Sequence, residues 1–254
     1  MTEKERWQAD TVRVQFVGSG DAFGSGGRFQ TCIALQHGQS VALIDCGASS
    51  LVAMKKLRLD PSVVDVILLT HLHGDHFGGL PFLLLDAQFS RRTRPLAIAG
   101  PPGAEKRVRQ AMEVLFPGSS QTQQRFDLTF VEFSDGTAVQ LGALSVTPYA
   151  VLHASGAPAY ALRVACAGKA LAYSGDTEWT AALCQVAAQA DLFICEAHFY
   201  DKAVKFHLDY RTLQAKRATL GCRRLVLTHM SADMLAHVAE IPDECAEDGL
   251  IIAL

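Results

Sequence analysis

An apolar, largely β-branched run, Val63-Val64-Asp65-Val66-Ile67-Leu68-Leu69, leads directly into Thr70-His71-Leu72-His73-Gly74-Asp75-His76. A near-continuous run of this kind fits a strand buried on both faces of a sheet. The chain therefore delivers three histidines and an aspartate, within six residues, to the end of a buried strand. Crowding imidazoles and a carboxylate at one point is costly unless something binds them together. A divalent ion does so, and imidazole with carboxylate suits zinc, manganese or iron.

The rest of the pattern places strands before helices in both halves. Strands are expected at 12–17, 31–35, 41–45, 63–69, 96–99, 126–133, 139–141, 144–149, 159–165, 169–173, 192–196, 224–228 and 250–253, from alternation or short β-branched runs. Helices are expected at 49–59, 80–89, 106–115, 179–189, 210–220 and 232–239. No linker or low-complexity segment divides them, so residues 1–254 read as one α/β domain with helices outside sheets packed face to face.

Composition excludes several classes. A net charge of −3 is no footprint for nucleic acid. The basic clusters Arg91-Arg92-Thr93-Arg94, Lys106-Arg107-Val108-Arg109 and Arg223-Arg224 read as solvated faces, or as a phosphate rim if they surround the site. The polar start, Met1-Thr2-Glu3-Lys4-Glu5-Arg6, is unlike a secretory leader, and no apolar run approaches a membrane span. Seven scattered cysteines without a Cys-x-x-Cys pair point to reduced, cytoplasmic protein.

The segment Thr70 to His76 resembles the signature of the metallo-β-lactamase superfamily, and later strand ends supply His153, Asp176 in Ser174-Gly175-Asp176-Thr177, and His229 in collinear order. The resemblance implies the four-layer αββα fold, two mixed sheets face to face with outer helices. It implies two divalent ions, zinc foremost with manganese or iron as alternatives. His71, His73 and His153 would hold one ion, Asp75, His76 and His229 the other, and Asp176 would bridge them. Paired ions share a hydroxide aimed at an electrophile. Asp45, in Leu43-Ile44-Asp45-Cys46-Gly47, fits a support that fixes a histidine tautomer.

Aspartate at 176, where the antibiotic-hydrolysing members carry cysteine, points away from that branch. The opening Val14-Gln15-Phe16-Val17-Gly18-Ser19-Gly20-Asp21 and the boxes Cys195-Glu196-Ala197-His198 and Phe206-His207-Leu208 are similar to the ribonuclease Z and arylsulfatase-like branch. In that branch a glutamate and a histidine assist leaving-group protonation, which implies Glu196 and His207 here, with Asp75 also in the catalytic set. His198 stands where the box has threonine and would line the pocket, as would Phe23, Phe77, Trp179 and Phe199. Between His153 and Asp176 the branch carries a long arm that clamps tRNA, whereas this interval is short.

These features together predict a hydrolase cleaving a small phosphodiester-type substrate. Aryl sulfate, lactone or other ester hydrolysis is the alternative on the same site, and ribonuclease Z-like RNA processing a further one. A tRNA partner is disfavoured, and the resemblance suggests a homodimer. A non-catalytic binding protein would be expected to have lost ligands, and every one is retained.

Overall fold

The computed structural model describes residues 11–254, so the leader-like or leaderless character of Met1–Arg6 lies outside the described residues. The first sheet is built from β1 (Arg13–Gly18), β2 (Cys32–His37), β3 (Ser40–Ile44), β4 (Val64–Leu68), β5 (Leu96–Gly100) and β6 (Leu128–Glu132). The second is built from β7 (Val139–Leu141), β8 (Leu144–Val151), β9 (Ala159–Cys166), β10 (Lys169–Tyr173), β11 (Leu192–Glu196), β12 (Leu225–Thr228) and β13 (Glu244–Cys245). The last strand, β14 (Ile251–Ala253), returns to pair with β1 and closes the edge of the first sheet. Each sheet is mixed: hairpin pairs at one side give way to parallel neighbours from β3 to β6 and from β10 to β13.

Seven helices complete the layers: α1 (Ser50–Lys56), α2 (Gly74–Phe77), α3 (Leu80–Phe89), α4 (Ala104–Leu115), α5 (Ala181–Ala187), α6 (Tyr210–Lys216) and α7 (Ala232–Leu235), counted among the described residues. Three apolar clusters separate the four layers. One lies between the sheets, with Phe16, Ile33, Leu68, Val146, Leu162 and Ile194. A second packs the first sheet under α1, α3 and α4, where Met54, Leu84 and Met112 are buried. The third packs the second sheet under α5, α6 and α7, through Leu183, Leu213 and Met234. Alternation along the strands explains the sharing: Phe16 and Val17, or Ile194 and Cys195, serve opposite faces. This is the metallo-β-lactamase architecture.

Parallel pairing puts the carboxyl ends of β4, β5, β11 and β12 at one rim, which is where open α/β sheets place their sites. Two glycines allow the loops there to close. A β-carbon on Gly47 would lie 2.2 Å from the Asp75 carbonyl oxygen, so only glycine lets the turn after β3 pack on α2. Gly175 has φ +57° and would meet the Tyr160 carbonyl at 2.9 Å.

Several expected elements differ. The helix expected at 232–239 is only Ala232–Leu235; beyond it the chain tightens into i to i−3 turns, with the His237 N–H donating to the Met234 carbonyl (3.0 Å). The His237 ring there stacks on Tyr200, 4.0 Å between centroids, which favours the tighter path. The 210–220 helix is α-helical through Lys216 and then a 3₁₀ turn, and 179–189 shortens to Ala181–Ala187. The short helix α2 and the two-residue β13 carry too little periodicity to be read from letters.

The basic clusters are mostly exposed, as solvated faces are, and Arg92 is the departure. Arg92 is buried and donates to the carbonyls of Pro61, Ser62, Val64, Arg94 and Pro95. Arg94 pairs with Asp65, and Arg223 and Arg224 pair with Asp191 and Glu244. Because Arg91 to Arg94 precede β5 while His71 follows its parallel neighbour β4, this cluster lies at the end of the sheet opposite the histidines. It ties loops together and forms no phosphate rim.

Candidate active site

The strand β4 ends at Leu68, and Thr70 then locks the turn by giving its N–H and hydroxyl to the Asp45 carboxylate, both at 2.8 Å. Asp45 itself sits in the left-handed region (φ +58°), as does His229 (φ +56°). Non-glycine residues in that region are strained, and such strain concentrates where geometry serves function. Asp45 is also the acceptor for His76 Nδ1 at 2.7 Å.

A common rule then emerges for four of the histidines. The Thr70 hydroxyl is already spent on Asp45, so His71 Nδ1 donates to its oxygen (3.0 Å). The Thr31 hydroxyl donates to the Gly20 carbonyl, so His229 Nδ1 donates to Thr31 (3.2 Å). His153 Nδ1 donates to the Phe206 carbonyl at 2.8 Å. With Nδ1 engaged outside the cluster, His71, His76, His153 and His229 each present Nε2 to its centre. That is the tautomer that outer partners impose on metal-ligating histidines.

Asp176 occupies the centre. Its Oδ1 lies 3.3 Å from His76 Nε2, and its Oδ2 lies 3.3 Å from His229, 3.8 Å from His71 and 4.0 Å from His153, each measured to Nε2. Asp75 Oδ2 is 3.3 Å from His76 Nε2 and 3.9 Å from His229 Nε2. His73 Nδ1 meets His153 Nε2 at 3.0 Å. Donor atoms of His71, His73 and His153 lie within 4.8 Å of one another, and so do those of Asp75, His76, Asp176 and His229. The sequence candidates 71, 73, 75, 76, 153, 176 and 229 thus converge as two adjoining groups joined at Asp176.

The polar atoms of this cluster fit two divalent cations. His71 Nε2, His76 Nε2 and Asp176 Oδ1 are buried and lack a hydrogen-bond partner, which is expensive unless an ion takes the lone pairs. Burial pushes His71 well below the usual histidine range and His229 down to about 4, leaving both neutral and able to ligate. Burial opposes charge on His76 too, but Asp176, Asp75 and Asp45 outweigh it and draw its affinity for a proton well up. Three carboxylates around one imidazole demand positive charge at that point, and a cation meets the demand better than a proton.

Beside the cluster stands a second constellation. His207 Nδ1 donates to Glu196 Oε2 at 2.9 Å, and the other carboxylate oxygen accepts the Thr177 N–H. His207 Nδ1 is 4.0 Å from Asp176 Oδ2. Burial lowers the affinity of His207 for its proton, but the Glu196 hydrogen bond and charge, with Asp176, outweigh it and carry the pKa up to about 9. Burial, with the Asp176 charge, pushes Glu196 up to about 8 against the lowering by the His207 and Thr177 bonds, so the carboxylate and the imidazole both hold the proton between them tightly. His198 stacks on His207 (4.4 Å, 24°) and donates from Nδ1 to the His229 carbonyl at 3.2 Å.

A family model described as "Anti-Pycsar protein Apyc1" matches residues 12–243. The chain belongs to this family. It is also similar to Ribonuclease BN of Erwinia tasmaniensis, 29% identical over 286 residues covering 90% of this chain and 92% of that protein. Among solved structures, the Bacillus subtilis metallo-β-lactamase fold protein YhfI superposes with a TM-score of 0.76 at 20% identity, covering 96% of this chain and 100% of that one. The short form of human tRNase Z does so with a TM-score of 0.76 at 24% identity, covering 94% and 98%. The chain is accordingly a hydrolase of the metallo-β-lactamase fold in its ribonuclease Z-like branch.

The aromatics expected around the pocket divide. Phe77 is buried in the core under the first sheet, and Trp179 packs against the core of the second. Phe23 is 87% exposed, on a turn held by the buried Asp21 carboxylate. Phe199 is half-buried with its ring edge-on to His198. The outer partners Thr31 and Thr70 escaped the sequence reading. Thr70 carried a signal as the residue between strand and histidines; Thr31, 198 positions from its partner, carried none. All seven cysteines are free, and no described helix is long and apolar enough to cross a membrane.

Proposed function

We propose that this chain hydrolyses a small phosphodiester, using two divalent ions, zinc foremost. The observation that carries this reading is the His207–Glu196 pair beside Asp176: a protonated imidazole, held by a buried carboxylate, next to a cluster suited to cations. His71, His73 and His153 would hold one ion, and Asp75, His76 and His229 the other, with Asp176 between them. When bound, such ions supply Lewis acidity toward phosphoryl oxygens and lower the pKa of water toward neutrality.

The remaining steps belong to the chain's own groups. His207 Nδ1 is committed to Glu196, so Nε2–H is the free donor and delivers its proton to the departing oxygen. Glu196 keeps that ring oriented and stabilises its charged form. Asp75 lies beside His76 and His229; burial raises its proton affinity, but those imidazoles outweigh it and hold it well below the usual carboxylate range, as an anion suited to ligating an ion and to orienting the attacking water by accepting its hydrogen bond. His198, stacked on His207, lines the leaving-group side.

A small substrate is supported by the interval between His153 and Asp176, which the antiparallel β9–β10 hairpin occupies. The arginines at 91–94 lie at the far end of the sheet, and thus offer a tRNA no grip at this rim. Hydrolysis of a bis-aryl phosphodiester with zinc or manganese tests the reading, beside aryl sulfate and lactone substrates. Turnover of the phosphodiester, sharply reduced in His207→Ala, is expected. No turnover by metal-loaded protein, or a His207→Ala variant equal to wild type, would overturn it.

A further inference from the structure

Phe206 has φ +73°, the largest positive value among the described non-glycine residues, in the loop that carries His207. A β-carbon in the left-handed region crowds the following carbonyl, so a phenylalanine stays there only when other contacts hold it. Both main-chain groups of Phe206 are held. Its carbonyl accepts from His153 Nδ1 at 2.8 Å, and its N–H donates to Glu178 Oε1 at 2.8 Å. The next residue delivers its imidazole to Glu196. One strained peptide unit therefore orients a member of the metal cluster on one side and the proton donor on the other.

Glu178 is anchored to do this. It lies two residues beyond Asp176; its N–H donates to the Leu152 carbonyl (3.2 Å) and its own carbonyl accepts the Thr177 hydroxyl (2.7 Å). That hydroxyl oxygen also accepts the Leu152 N–H at 3.1 Å, beside His153, and the Thr177 N–H reaches Glu196. The loop 176–178 thus carries Asp176 and contacts the His153 segment, the Glu196 carboxylate and, through the Glu178 side chain, the Phe206–His207 segment.

We infer that Glu178 is a positioning residue whose carboxylate clamps Phe206 in its left-handed conformation, and thereby sets both the His153 ring and the His207 proton donor. The role needs an acceptor oxygen at Oε1 and no negative charge. It rests on the reading of His207 as leaving-group acid, and adds that acid and metal ligand are set by one shared backbone unit. Without the clamp, Phe206 relaxes out of the strained region, its carbonyl leaves His153, and His207 swings from Glu196.

The test compares Glu178→Ala, Glu178→Gln and the double variant Glu178→Ala/Phe206→Gly in the zinc-loaded protein. Two readouts are needed: the pH profile of kcat/KM on a bis-aryl phosphodiester, and the chelator concentration that strips zinc. Glu178→Ala is expected to lose roughly 10- to 100-fold in zinc retention, as loss of an outer partner does, together with the alkaline limb that His207 governs. Glu178→Gln, whose amide oxygen still accepts, restores both to within about threefold of wild type. Adding Phe206→Gly to Glu178→Ala recovers roughly tenfold, because glycine adopts the left-handed region without the cost a β-carbon imposes. Glu178→Ala equal to wild type in zinc retention, Glu178→Gln as impaired as alanine, or no recovery in the double variant would each overturn the clamp. If wild type shows no phosphodiester turnover, the substrate reading fails while zinc retention still decides the clamp.

Discussion

The two halves of the cluster are assembled by opposite strategies. In the first, four donors sit within six residues on the turn and short helix after β4, and a single buried carboxylate, Asp45, ties that turn and His76 together. In the second, His153, Asp176 and His229 arrive on loops after three different strands of the second sheet, Glu196 ends β11 and His207 lies on the loop that follows it, and main-chain groups do much of the holding. A compact motif needs only local geometry and one outer support. A dispersed one depends on the sheet register and on loop-to-loop bonds, so its members are coupled through many contacts.

The comparison breaks most severely at Asp176, the residue both halves touch. Asp176→Ala is expected to abolish retention of two zinc equivalents and to cut kcat/KM by at least about a thousandfold. Metal content by mass spectrometry, with turnover, checks this; a variant that keeps two equivalents would separate the halves.

His207→Ala comes next, with a loss of about 100- to 10,000-fold for a general acid. The sign follows from the pKa near 9: the donor is charged below that pH and spent above it, so the wild-type rate falls through pH 9 as pH rises. The variant should lack that alkaline fall while keeping its zinc, which a pH–rate series reads directly.

Asp45→Asn probes the compact half. The amide still accepts but no longer compensates charge on His76, so zinc affinity should weaken about 10- to 100-fold. Chelator competition measures it. An effect smaller than that of Glu178→Ala would mean the compact motif holds itself without its outer carboxylate.

The smallest effect on activity is expected at the far end of the sheet. Arg92→Ala orphans five carbonyls and should lower stability by about 2 kcal/mol, seen as a fall in Tm. The kcat/KM of the folded fraction should stay within about twofold of wild type, because no rim residue is touched.

Much of this molecule was open to reading from letters alone. The buried strand before His71 and the order of strands and helices follow from short-range pattern, since alternation and turn chemistry act over a few residues, whereas the later His153, Asp176 and His229 are legible only through the resemblance to the superfamily. Helix ends were harder: 232–239 shortened to Ala232–Leu235, beside a ring stack with Tyr200 that no local pattern contains. Function needed contacts of another range. Arg92 looked like a solvated charge until its partners 28 to 31 residues away were seen, and Thr31, Phe206 and Glu178 acquire meaning only from histidines or backbone that folding brings to them. Residue type and spacing select which chemistry is possible, because ligands must be of the right kind. Tautomer, orientation and the division between structural and functional charge are set by hydrogen-bond partners distant in sequence, and those exist only once the sheets have paired.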